Sequence, residues 1–180
     1  DRGYVGAAAY PKFVGGLSFS GDWKGIDFSF LFQAGLGRDV ALTGVYSGGI
    51  MDNTQMTKPF YHGGNSPKYL VENSWREDNT NAEFPRLSIV QASSNNAYSS
   101  TFWYRSGDYL RLKNLQIGYT FPQKWMSRIG IDRLRIYFEG QNLWTVSELT
   151  KFNIDPEQPG VSNGYYPQQR IFSFGVNLAF

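Results

Sequence analysis

Along the last eleven residues, Arg170 to Phe180, large apolar side chains occupy every second position. Phe172, Phe174, Val176, Leu178 and Phe180 alternate with Ser173, Gly175, Asn177 and Ala179. A pleated strand sends successive side chains to opposite faces, so this segment carries one bulky, greasy face and one small or polar face. The same period appears earlier. From Val14 to Asp22, Leu17 and Phe19 stand opposite Ser18 and Ser20, then Asp22-Trp23-Lys24-Gly25 supplies turn residues. Ile26, Phe28, Phe30 and Phe32 follow against Asp27, Ser29 and Gln33, which predicts a hairpin with a four-residue turn. Trp23 falls where an interfacial aromatic belongs.

Tyr109 to Phe121 predicts the next strand, with Leu115, Ile117, Tyr119 and Phe121 on one face and the same alternation running back to Lys113 and Arg111. A strand tilted by roughly 45° climbs about 2.4 Å per residue. Lys113 and Arg111 would then stand about 19 and about 24 Å above Phe121, at the headgroup level of an apolar band about 25 Å tall. After a basic connection from Pro122 to Arg133 that contains Trp125 and Met126, Leu134, Ile136, Phe138 and Trp144 share a face against Arg135, Tyr137, Glu139 and Gln141. Asn142 interrupts the outward row, which predicts a bulge or an interfacial depth.

Between these strands the connections alternate in length. Residues 22–25 and 122–133 are short, whereas 36–108 and 145–169 are long, polar and rich in Gly, Asn, Ser and Pro, with a short helix expected between Asp39 and Met56. Long loops on one side and short turns on the other are the asymmetry of outer-membrane barrels. The fold class read here is all-β: a transmembrane antiparallel β-barrel segment of about five strands with long extracellular loops and a periplasmic carboxyl end.

Composition agrees with this reading. Hydrophobic residues make up 41% and charged residues 18% of the 180, yet no run of about twenty apolar residues offers a membrane helix. Aromatics at 17% and twenty glycines suit strands, turns and interfacial girdles. With no cysteine there is no thiol or disulfide chemistry, and a net charge of +2 excludes nucleic acid as an expected partner. The chain begins at Asp1 with neither an initiator Met nor a signal-peptide pattern, so it reads as a portion of something longer or a processed product.

The order of motifs resembles one family. Tyr109-Leu110-Arg111-Leu112-Lys113-Asn114, Gly118-Tyr119-Thr120-Phe121-Pro122, Leu134-Arg135-Ile136-Tyr137, Gly140-Gln141-Asn142-Leu143, Asp155-Pro156-Glu157, Tyr166-Pro167 and the terminal Phe172 to Phe180 run resemble the carboxyl-terminal barrel segment of SusC/RagA-type TonB-dependent outer-membrane transporters of Bacteroidetes. Trp75, Asn79, Asn81-Ala82 and Phe84-Pro85-Arg86 resemble the loop before it. The resemblance covers most of residues 10–180. It implies that residues 1–180 are one partial domain, the last about five strands of a 22-stranded barrel whose amino-terminal plug lies outside this chain. It further implies nutrient uptake of oligosaccharides or peptides, energised by TonB through the missing part and capped by a SusD-like surface lipoprotein. The remainder of the barrel, outer-membrane lipid and the barrel-assembly machinery complete the expected partners. Phe172, Phe174, Val176, Leu178 and Phe180 are similar to the signal that machinery reads, although Phe180 equally serves as an interfacial anchor.

Candidate chemistry is sparse. His62 is the single histidine, so triads and histidine clusters are not expected, and no cofactor or metal is assigned. Asp155 and Glu157 offer oxygens to a hard cation, but Asp-Pro followed by Glu reads more simply as a turn. Gly35-Leu36-Gly37 lacks the strand-turn-helix context of a nucleotide loop. Trp75, Arg76, Trp103, Tyr104, Tyr165 and Tyr166 are the substrate-binding candidates, with Arg105 and Asp108 as further polar ones; the aromatics could equally pack the loops or touch a lipoprotein lid. Ser173, Asn177, Glu139, Gln141, Asn114 and Gln116 are expected to face the lumen. No enzyme activity is expected. The rival reading is a secreted β-sandwich that binds glycans through its loops, in which Phe172, Phe174, Val176 and Leu178 would lie against a second sheet.

Overall fold

Five of the predicted strands form and pair in one antiparallel sheet. The computed structural model describes residues 8–42, 68–86, 100–159 and 168–180. In chain order the strands are β1 (Phe13–Trp23), β2 (Ile26–Leu36), the short β3 (Asp39–Ala41) and β4 (Tyr104–Ser106), then β5 (Tyr109–Thr120), β6 (Arg133–Ser147) and β7 (Ile171–Ala179). Two short helices, α1 (Lys68–Glu72) and α2 (Gln123–Met126), lie between them. The large sheet runs β1-β2-β5-β6-β7, and β3 pairs with β4 separately.

The β1–β2 turn is tighter than the four residues expected. Trp23 pairs with Ile26, leaving only Lys24 and Gly25 in the loop, with φ of 48° and 86°. Two consecutive positive φ values match the right-handed twist of the flanking strands, so Asp22 and Trp23 stay inside the ladder. At Gly25 a Cβ would sit 2.7 Å from the Thr120 carbonyl oxygen, which excludes any larger residue.

Register sorts the two faces. Leu17 opposes Phe32, Phe19 opposes Phe30, Phe28 opposes Ile117, and Phe30 opposes Leu115. Farther along the same face Ile136 opposes Val176 and Phe138 opposes Phe174. The Phe19 and Phe30 rings stack at 5.5 Å and those of Phe138 and Phe174 meet at 5.2 Å, yet Phe174 remains 82% exposed. Phe172, Val176 and Leu178 are exposed as well; the sandwich reading requires a second sheet over them, and among the described residues none covers them. Scattered apolar residues on a surface are ordinary, but a continuous aromatic face is not.

One expectation fails at β5. The register shifts between Leu31 and Phe32, where Leu31 pairs with Asn114 but Phe32 pairs with Leu112. Lys113 is the extra residue of a β-bulge, so the parity of everything before it is reversed. Leu112 and Leu110 therefore join the apolar face. Arg111, opposite Gln33, belongs to the polar face and is 3% exposed, with its Nε donating to Thr145 Oγ1 at 2.9 Å. The two cations thus do not climb the apolar face, and Lys113 Nζ instead donates to Gln168 Oε1 at 3.3 Å. The expected irregularity at Asn142 does occur: its φ is 52°, and β6 continues to Ser147.

The chain divides into two compact units. One is the large sheet, made of Phe13–Leu36, Tyr109–Val146 and Gln168–Phe180; the other gathers Asp1–Lys12, Gly37–Asp108 and Ser147–Pro167. The second unit holds the hydrophobic core, formed by Val40, Leu42, Leu70, Phe84, Trp103, Leu149, Phe152 and Ile154. Segments without strand periodicity thus pack a true interior, because their apolar residues are spaced for irregular backbone rather than for a pleat. The region of the helix expected between Asp39 and Met56 opens as β3 over Asp39–Ala41, and residues 43–67 lie outside the described residues.

Candidate functional site

On the polar face of the sheet, a line of contacts crosses four strands. Asp27 of β2 and Arg135 of β6 are not neighbours, since β5 runs between them. Arg135 spans that gap, donating from Nε to Asp27 Oδ2 at 2.9 Å and from its terminal nitrogen to Oδ1 at 2.5 Å, a two-pronged pair suited to a planar guanidinium. The β5 residue beneath is Gly118, where a Cβ would meet Arg135 at 2.5 Å and Asp27 at 2.6 Å. Arg135 also lies 4.8 Å from the Tyr137 ring, which covers Gly175 of β7. Toward the other end, Tyr109 covers Gly35 in the same way and accepts a hydrogen bond from Gln33 at 3.2 Å. Glu139 pairs with Ser173 and Arg135 with Asn177 on this face, while Gln116 opposes Ser29 and Asn114 opposes Leu31. The polar-face assignments therefore hold in register.

Within the loop unit, α1 and the 82–86 strip are tied together by Trp75 N to Phe84 O and Phe84 N to Asn73 O, both 2.9 Å. This places Trp75 at the wall of a cavity of about 300 Å³ whose other walls are Ala82, Glu83, Phe84, Pro85, Arg86 and Phe102. Trp75, Arg86 and Phe102 are exposed at its rim. Of these, Trp75 was singled out in the sequence. Phe102 was not, because a lone Phe in an aperiodic stretch gives no signal, and Arg86 stood only within the resemblance motif.

The other candidates take different places. Trp103 is 5% exposed and stacks on Phe84 at 6.3 Å, which makes it part of the core. Arg76 is exposed but tied to its own loop, donating to Asp78 at 3.2 Å and to the Val71 carbonyl at 3.0 Å. Tyr104 is half-buried in β4. Arg105 is occupied by Glu83 at 3.0 Å and Glu148 at 3.6 Å, and Asp108 accepts from Gly37 N at 2.7 Å, so both hold the fold. Asp155 receives Glu157 N at 2.9 Å, the turn expected of Asp-Pro-Glu, and no cluster of three metal-ligating side chains occurs among the described residues. Tyr165, Tyr166 and His62 lie outside the described residues.

Glu83 is the electrostatic centre of the loop unit. It accepts from Tyr69 Oη at 2.7 Å, Arg105 at 3.0 Å and Lys151 at 3.3 Å. Burial would raise its pKa, but those three donors and the Lys151 charge outweigh it and hold the carboxyl below the usual range. Its hydrogen bond pushes the Tyr69 hydroxyl up to about 12.

A sheet greasy and aromatic on one side and polar on the other, with short turns at one end, has the pattern of an outer-membrane β-barrel wall. More particularly, by sequence and by fold, the chain is similar to SusC-type TonB-dependent receptors. The chain is 28% identical over 193 residues to TonB-dependent receptor P3 of Formosa agariphila, covering 100% of this chain and 17% of that protein. It is 27% identical over 168 residues to TonB-dependent receptor SusC of Bacteroides thetaiotaomicron, covering 92% of this chain and 15% of SusC. Among solved structures it is similar to the RagAB peptide importer in its closed-closed state, with a TM-score of 0.61, 26% identity, and coverage of 98% of this chain and 18% of the importer chain. The chain thus spans less than a fifth of the length of these relatives. No family model matches it.

Proposed function

We propose that this chain forms part of the wall and outer mouth of a TonB-dependent importer of oligosaccharides or peptides, and that it carries no catalysis. The two-faced sheet is the observation that carries the reading: acyl chains cover the Phe19, Phe30, Phe138 and Phe174 side, and a sealed lumen faces Arg135, Glu139 and Asn177. Among the described residues the strands β1 and β7 each have one neighbour. An unsatisfied backbone group in hydrocarbon costs several kcal/mol, so two open edges of about ten residues would cost tens of kcal/mol. Further strands of the same barrel, 22 in all, remove that cost. The turn end faces the periplasm, where Phe180 and the alternating residues before it serve barrel assembly. The long loops, read as extracellular, meet a SusD-like lipoprotein and offer Trp75 and Arg76, with Tyr104, Tyr165 and Tyr166, to cargo; Trp103 acts through packing. TonB acts through the remainder of the protein.

The test is fractionation and uptake with the full-length protein. It should sediment with outer membranes, require detergent and migrate faster before boiling than after. Trp75→Ala should slow uptake of the cognate oligosaccharide or peptide severalfold without lowering the amount in the membrane. A detergent-free, soluble product would favour the secreted glycan-binding sandwich and overturn the importer.

A further inference from the structure

At the turn end of the sheet, four exposed cations stand close in the chain to exposed aromatics. Lys24 occupies the β1–β2 turn, Lys124 and Arg128 lie in the α2 region, and Arg133 opens β6. None of the four forms an ion pair among the described residues, although Asp22 and Asp132 lie at the same end, whereas Arg135 and Arg105 elsewhere are engaged by carboxylates. Lys24 stands 4.7 Å over the Trp23 ring, on the apolar side, and Trp23, Trp125 and Ile129 are each more than half exposed. Directly inside this rim, the apolar face is hollowed into a groove lined by Ile26, Ile117, Tyr119, Ile136, Phe138 and Phe174. Ile26 is two residues from Lys24, and Thr120 N bonds Gly25 O at 2.7 Å, so the groove runs to the foot of the turn.

Resting on the reading that this face meets lipid, we infer that the turn end holds one anionic glycerophospholipid, with an acyl chain in the groove and its phosphate at Lys24 and the α2 cations. A zwitterionic headgroup neutralises itself and gains little from unpaired lysines, whereas each cation near an anionic surface adds to the attraction. The groove supplies length and apolar contact, and indole rings such as Trp23 and Trp125 settle at the headgroup boundary. Asp22 does not oppose this, because it pairs across from Asp27 on the polar face.

The test uses the full-length transporter extracted in a mild detergent, with the lipids retained measured by native mass spectrometry. Phosphatidylglycerol or cardiolipin should be enriched several-fold over its share of the membrane, and the combined K24Q, K124Q and R128Q variant should return it to that share. Barrel formation, read as heat-modifiable migration, should be unchanged, since none of the three residues is in a strand ladder or ion pair. Retained lipids in bulk proportion, an enrichment that survives the triple substitution, or lipid A held there instead would each overturn the site while leaving the importer intact. Failure to enter the outer membrane overturns both.

Discussion

Arg135 reaches across an intervening strand to grip Asp27, and Gly118 is the saddle that lets it pass. Gly118→Ala is therefore expected to weaken the sheet as much as Arg135→Ala does, because the new methyl occupies the space of the guanidinium. The pair is partly exposed, with side-chain exposures of 13% and 35%, so each change should cost about 1 kcal/mol. Urea unfolding of the full-length barrel in detergent measures this, and G118A with an unaltered midpoint would refute the clasp.

The two faces should respond oppositely to charge. Phe174→Arg, on the exposed aromatic side, is expected to cost about 2–4 kcal/mol if it lies near the midplane, whereas Ser173→Arg on the polar side should be nearly neutral. Folding yield into lipid vesicles compares them directly. Equal effects would mean that the faces have been assigned wrongly.

Removing Lys113 should leave both faces of the sheet as they are. Deletion joins Leu112 to Asn114, which already oppose the consecutive Phe32 and Leu31, so the ladder closes without a bulge and Arg111 and Asn114 stay on the polar face. The deletion variant and Lys113→Gln, which loses the bond to Gln168, should both accumulate in outer membranes, as immunoblotting of membrane fractions would report; loss of the deletion variant alone would show that the barrel needs the bulge itself.

The loop unit should loosen at both extremes of pH. A tyrosine raised from 10.0 to about 12 contributes stability that is complete below pH 10 and is lost as pH climbs toward 12. A carboxyl lowered from 4.5 contributes stability present above that value and lost as pH falls through its folded pKa. Amide exchange across 68–86 should thus be best protected between these limits, and Glu83→Gln should flatten both limbs. A profile unchanged by that substitution would show that Glu83 does not centre the network.

Much of the sheet was legible because period-two alternation is a direct projection of a two-sided environment onto the chain. Phe172 through Phe180 and Ile26 through Phe32 sit where their spacing puts them. The Lys113 bulge was not legible, since an inserted residue leaves the apolar count intact and merely exchanges which parity is outside; Leu110 and Leu112 were the overlooked hint. The loop unit hid for a different reason. Leu42, Leu70, Phe84, Leu149 and Phe152 come from segments far apart in sequence, and a core assembled from irregular backbone leaves no period to detect. Of the loop aromatics that could either meet cargo or pack the loops, Trp103 packs in the interior and Trp75 stands at the rim of the cavity.

Tyr137 over Gly175 and Tyr109 over Gly35 give the polar wall an uneven relief. At those two places a ring lies flat where an upright side chain would otherwise project, so the surface there is planed down rather than toothed. A side chain of ordinary size at Gly35 or Gly175 would displace its ring, so each tyrosine keeps its seat only because the adjacent strand offers a glycine there.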